Sequence, residues 1–126
     1  MKLFLCFVFV QLILLSTHLY AEETRLLREP TVSDSHVAFT HAGDIWITDL
    51  DGANSQRLTS TAAVESHPHF SPDGQQIAFS SNRSGTNSVY VMPTIGGQAT
   101  RLTWHADGGG VRGWTPDGKK VLFTSG

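Results

Sequence analysis

Gly113-Trp-Thr-Pro-Asp-Gly118-Lys119-Lys120 has the spacing of the first seven positions of a phosphate-binding loop. That chemistry also needs a Ser or Thr in the eighth position for the metal, and a helix behind the loop to aim its amides at phosphate. Lys120 fills the eighth position and the strand-like Val121-Leu-Phe123 follows, so the segment reads as a turn. His67-Pro-His69 places two imidazoles on the same side of an extended strand, a spacing that can start a zinc or copper site if the fold supplies a third ligand. His36, His41 and His105 lie elsewhere, and the pair reads as polar residues on the approach to a turn. Asp49-Leu-Asp51-Gly52 opens like a calcium loop, but Ala53 and Ser60 stand where further ligands belong, which leaves a hairpin turn. Asn82-Arg-Ser84 has the form of a glycosylation acceptor, meaningful only on a chain secreted by a eukaryote. Neither Gly-x-Ser-x-Gly nor His-Glu-x-x-His occurs. Gly108-Gly-Gly110 reads as a loop. No residue is therefore assigned a catalytic, cofactor-binding or metal-ligating role, and no cofactor is expected.

The elements that carry these residues recur. One unit runs Phe70-Ser-Pro-Asp-Gly-Gln-Gln-Ile-Ala-Phe79, Ser88-Val-Tyr-Val91, Gly96-Gly97, Arg101-Leu-Thr103. An earlier unit has Val32-Ser33-Asp34, Val37-Ala-Phe39, Asp44-Ile-Trp-Ile47, Asp51-Gly52 and Arg57-Leu-Thr59, and a third starts at Trp114-Thr-Pro-Asp-Gly118 with Val121-Leu-Phe123. Phe39 and Phe79 are 40 residues apart, and Phe79 and Phe123 are 44 apart. A period of this length built from short strand-like runs marks propeller blades. Ser71-Pro-Asp-Gly74 and Thr115-Pro-Asp-Gly118 fit a type I turn, with proline fixing φ in second place and glycine favoured in fourth. Asp51-Gly52 and Gly96-Gly97 predict tight hairpins leading to last strands at Arg57-Leu-Thr59 and Arg101-Leu-Thr103. Val37-Ala-Phe39 and Ile45-Trp-Ile47 are apolar at consecutive positions, as strands covered on both faces are. The expected fold is all-β: a partial β-propeller of four-stranded antiparallel blades, about two and a half of them, at about 32–66, 67–110 and 111–126 within a propeller segment 32–126. A closed propeller needs at least about four blades, so these repeats read as part of a larger one.

Met1-Lys2, the almost wholly apolar Leu3–Leu15 and the small residue Ala21 ahead of Glu22-Glu23 predict a secretory signal peptide over 1–21, followed by a lead-in segment over 22–31. The apolar core is too short to span a bilayer, which takes about 20 residues. Export to the periplasm or the medium is expected, with membrane contact only through that signal. Cys6 is the one cysteine and leaves with the leader, so neither disulfides nor thiol chemistry is expected in the mature chain. A net charge of −2 with no basic run argues against a nucleic-acid partner.

The Phe-Ser-Pro-Asp-Gly-x-x-Ile-Ala-Phe unit followed by Arg-Leu-Thr resembles the WD40-like repeats of TolB and tricorn propellers. Gly43-Asp-Ile-Trp46, Arg101-Leu-Thr-Trp-His105 and Gly113-Trp-Thr-Pro-Asp-Gly-Lys-Lys-Val-Leu-Phe123 resemble, more narrowly, the N-terminal propeller of bacterial tricorn-like serine peptidases of the S41 type. The likeness covers roughly Leu26 to Ser125. It implies a non-catalytic part that guides or gates peptide or protein substrates towards a serine peptidase core outside this chain, alongside further propeller and PDZ domains. The other implied reading is a TolB-like periplasmic interaction propeller without enzymatic activity.

Overall fold

The computed structural model describes residues 27–104 and 108–126. The expected signal peptide (1–21), the start of the lead-in and His105 lie outside the described residues. Every element among the described residues is a strand: β1 (Arg28–Val32), β2 (His36–His41), β3 (Asp44–Asp49), β4 (Gln56–Arg57), β5 (Glu65–Phe70), β6 (Gln76–Ser81), β7 (Ser88–Pro93), β8 (Thr100–Arg101), β9 (Gly110–Trp114) and β10 (Val121–Thr124). They form two four-stranded antiparallel sheets, β1-β2-β3-β4 and β5-β6-β7-β8, and a two-stranded sheet, β9-β10. Each four-stranded sheet is one blade, in chain order from first strand to last. β1 begins at Arg28, inside the stretch assigned to the lead-in, so the first blade has its own first strand ahead of Val32.

The second blade lies between its neighbours and is buried on both faces. Ile77, Phe79, Tyr90 and Met92 pack with Ala38, Ile45 and Ile47 of the first blade, while Ala78 and Val89 pack with Val111 of the third. The run Ile77-Ala-Phe79 is apolar throughout for that reason: alternate residues of β6 face opposite blades. In the first blade the outward Val37, Phe39 and Trp46 are only half-buried.

The turns follow the expected chemistry. Gly74 N–H donates to Ser71 O (2.8 Å) and Gly118 N–H to Thr115 O (2.8 Å), with both glycines at positive φ, +70° and +69°. Ser71 Oγ accepts from Gln76 N–H (3.0 Å) and Thr115 Oγ1 from Lys120 N–H (3.1 Å). Ser33 Oγ does the same for His36 N–H (3.0 Å), so the first blade keeps the hydroxyl although it lacks Pro-Asp-Gly.

The last strands are shorter than expected and stop at Arg57 and Arg101. The hairpins are also longer than two residues. The turns are Asp49–Gly52 and Pro93–Gly96, with Gly52 N–H on Asp49 O (2.9 Å) and Gly96 N–H on Pro93 O (3.1 Å). The Arg-Leu-Thr motif ends the ladder with side chains. Thr59 Oγ1 accepts Ile45 N–H (2.8 Å) and Thr103 Oγ1 accepts Val89 N–H (2.9 Å). Arg57 Nε and Arg101 Nε donate to the Thr59 and Thr103 carbonyls (3.0 and 2.6 Å).

Candidate functional site

β1, β5 and β9, the first strands of successive blades, lie side by side, whereas the last strands diverge. Sheets that converge along one strand and splay at the other are arranged radially, so this row of first strands faces the common axis. Each first strand is bulged: pairing shifts between Arg28 and Thr31, between Ser66 and His69, and across Arg112. A bulge frees one residue from the ladder and re-aims its groups.

Groups at and beside these bulges tie one blade to the next. His67 N–H donates to Glu29 Oε2 of the first blade (2.8 Å), and His67 Nε2 lies 3.7 Å from Glu29 Oε1. Val111 N–H donates to Ser80 Oγ (3.0 Å), and the Trp114 indole N–H to the His69 carbonyl (3.0 Å). Glu29 and His67 both precede a proline and both take positive φ, 53° and 52°, a conformation non-glycine residues seldom hold. Burial, and then the neighbouring His67 and Arg112, hold the His69 imidazole below its ordinary pKa, against an opposite pull from Glu29. The inner wall thus gathers Glu29, His67, His69 and Arg112: one carboxylate, two imidazoles and a guanidinium from three strands.

The sequence motifs sort themselves against this geometry. A bulge falls between Ser66 and His69, and the ionisable neighbours of His69 are His67, Arg112 and Glu29. Among the described residues no three His, Cys, Asp or Glu side chains gather as a metal-ligand set. His36 stands apart, with Nε2 3.6 Å from Asp49 Oδ1. In the calcium-like segment, Asp51 Oδ1 accepts Ala53 N–H (2.9 Å) and Asp49 Oδ2 accepts from the Asn54 amide (2.7 Å), as in a hairpin turn. Gly113 lies within β9, and Thr115–Gly118 is a turn leading to β10, so the phosphate-loop spacing is that of a blade turn. Asn82 Oδ1 accepts Val64 N–H (2.9 Å). Of Gly108-Gly-Gly110, Gly110 opens β9. Sequence reasoning missed Glu29, which it placed in the lead-in. The signal was the recurrence of an X-Pro pair, Glu29-Pro30 and His67-Pro68, 38 residues apart.

Four-stranded blades with first strands converging define a β-propeller. Residues 24–126 match the tricorn protease N-terminal beta propeller domain, and the chain belongs to that family. It is 43% identical over 100 residues to tricorn protease homolog 1 of Streptomyces coelicolor, covering 79% of this chain and 9% of that protein. It is 35% identical over 86 residues to the uncharacterized peptidase YuxL of Bacillus subtilis, covering 68% of this chain and 13% of that one. Among solved structures, the tricorn protease superposes with a TM-score of 0.65 at 26% identity over 74% of this chain and 10% of its own. TolB from Acinetobacter baumannii superposes with 0.67 at 27% identity over 79% of this chain and 26% of its own. The chain therefore spans about a tenth of the length of these two curated relatives.

Proposed function

We propose that these blades are the opening part of a substrate-handling propeller of an exported, tricorn-like serine peptidase. They carry no catalytic residue and conduct peptides or proteins towards a peptidase core elsewhere. The observation that supports this most is the 43% identity to tricorn protease homolog 1 over nearly the whole run of blades. The inner wall suits such a role: Glu29, His67, His69 and Arg112 offer charges and imidazoles that peptide groups can meet. The leader-like segment 1–21 supports export. The test is to incubate the purified chain with peptides of 6 to 12 residues and to follow binding by ligand-observed NMR and cleavage by mass spectrometry. Binding without cleavage is expected. Reproducible cleavage that survives controls for contaminating proteases would overturn the non-catalytic reading. The likeness to the Acinetobacter TolB structure favours a second reading, a periplasmic protein-interaction propeller. Capture of folded proteins with indifference to short peptides would select it.

A further inference from the structure

The interface between the first two blades shows what a filled one contains. Phe79 of β6 pairs with Tyr90 of β7, and Ile77 pairs with Met92. The Phe79 and Tyr90 rings stack, with centroids 5.9 Å apart. All four side chains are buried in the core shared with the first blade. In the third sheet, Val121 and Phe123 of β10 stand where Ile77 and Phe79 stand in β6, 44 residues earlier. Val121 packs against the cluster of Ala78, Val89 and Val111, on the side of the second blade. Among the described residues β10 pairs with β9 alone. Lys120 turns both backbone groups to that side: its N–H donates to Thr115 Oγ1 (3.1 Å) and its carbonyl accepts Thr115 N–H (2.9 Å). In an antiparallel ladder the backbone groups of successive residues point to opposite edges. The N–H and C=O of Val121 and Phe123 therefore point to the free edge. A cavity of about 480 Å³ is lined by Val91, Leu102, Trp114 and Val121.

We infer that this edge takes up an extended segment of a separate polypeptide, in which an aromatic residue stands two positions ahead of a large apolar one. The segment runs antiparallel to β10, with its ring on Phe123 and its second side chain opposite Val121, towards the cavity. Main-chain bonds to a sheet edge supply affinity, and alternate side chains supply selectivity. A second copy of this chain offers no such strand. Its inner strands β2, β3, β6 and β7 are each paired on both edges. Of its edge strands, β4 and β8 have two residues each, and β1 and β5 contain prolines. β9 reads Gly-Val-Arg-Gly-Trp, and β10 has its valine ahead of its phenylalanine, the reverse of the required order. This partner follows from the repeat of the blades and does not depend on the peptide-handling reading.

The test uses the full chain and a fluorescein-labelled peptide of the β7 sequence, Ser88–Pro93. Fluorescence polarisation should saturate at one peptide per chain, and the peptide should raise the monomer fraction in sedimentation velocity. An isomer with tyrosine and methionine adjacent turns those side chains to opposite faces. It should bind roughly tenfold more weakly, as loss of one buried apolar side chain requires. Amide exchange followed by NMR should slow at Val121 and Phe123 when the peptide binds, and stay unchanged at Lys120. Val121→Pro removes one outward N–H at an edge position, where proline is tolerated. It should weaken binding at least several-fold while circular dichroism stays unchanged. Equal binding of the isomer, absence of binding, or protection that spares Val121 and Phe123 overturns the inference. Protection of those two amides that rises with protein concentration and ignores the peptide assigns the edge to a second copy, and also overturns it.

Discussion

At the scale of single residues, the chain stabilises its turns and strand ends with short polar side chains. Asp73 Oδ1 accepts from Ser71 Oγ (2.6 Å) and Gln75 N–H (3.0 Å), and Asp117 Oδ1 from Thr115 Oγ1 (2.6 Å) and Lys119 N–H (3.0 Å). The hydroxyl bond first, and the backbone bond second, hold both carboxyls below their ordinary value of 3.8. A depressed carboxyl pKa contributes stability that is fully present above the unfolded value and is lost as pH falls through the folded one. The turns should therefore hold at neutral pH and loosen only below about pH 4. A carboxyl-carbon NMR titration should give both aspartates lowered midpoints, and Ser71→Ala should raise that of Asp73 alone. Thr59 makes a different bond, its hydroxyl serving the buried Ile45 N–H. Thr59→Val keeps the shape and orphans that donor, at a cost of about 1–3 kcal/mol. Hydrogen exchange at Ile45 should accelerate accordingly, and Thr103→Val should do the same at Val89.

At the scale of elements, the blade turns abut one another. A Cβ built on Gly74 would lie 3.3 Å from the Ser33 Cβ in the neighbouring turn, whereas one on Gly52 would meet nothing within 4 Å. Both glycines take positive φ, so Gly→Ala costs about 1–2 kcal/mol for the left-handed backbone at either place. Gly74→Ala should cost more, because it also pushes the first turn away; urea midpoints of the two variants compare the costs. Much of this was legible in the sequence. Pro-Asp-Gly named two turns, the consecutive apolar triplets announced strands, although Val37, Phe39 and Trp46 on one face of the first blade are only half-buried, and the repeat period set the blades. Other features were not legible, for physical reasons. β1 is only five residues long, is bulged and is mostly exposed, so Arg28-Glu-Pro-Thr-Val32 carries no apolar alternation. The last strands stop early because the Thr59 and Thr103 hydroxyls take over from backbone partners, an exchange that leaves no mark on hydrophobic pattern. The Glu65–Arg83 pair was hidden too. It joins residues 18 apart, and the guanidinium also lies over the Phe79 and Tyr90 rings at 5.3 and 4.9 Å.

At the scale of the whole molecule, the two blade interfaces differ in what fills them. Between the first and second blades, Leu58 packs against the shared core beside Tyr90 and Met92. Its counterpart Leu102 is 43% exposed and borders a cavity of about 480 Å³ shared with Met92, Trp114 and Val121. The reason is the third sheet, which among the described residues consists of β9 and β10 and has no counterpart of β7, the third strand that supplies Tyr90 and Met92 to the filled interface. Among the described residues one edge of β10 is therefore unpaired, with Leu122 51% and Phe123 39% exposed, and Trp104 stands 71% exposed nearby in sequence to β8. An open strand edge flanked by apolar side chains is a template for pairing with another chain. The 126-residue chain alone should self-associate at micromolar concentration, giving β-rich circular dichroism without a sharp cooperative melt. Leu122→Lys puts a charge on that edge and should raise the monomer fraction in sedimentation velocity. Leu50→Lys, a control on an exposed turn of the first blade, should leave it unchanged. A wild-type chain that sediments as one monomeric species and melts in a single sharp transition would contradict the open-edge account, because blades that depend on their neighbours cannot then be the units of stability.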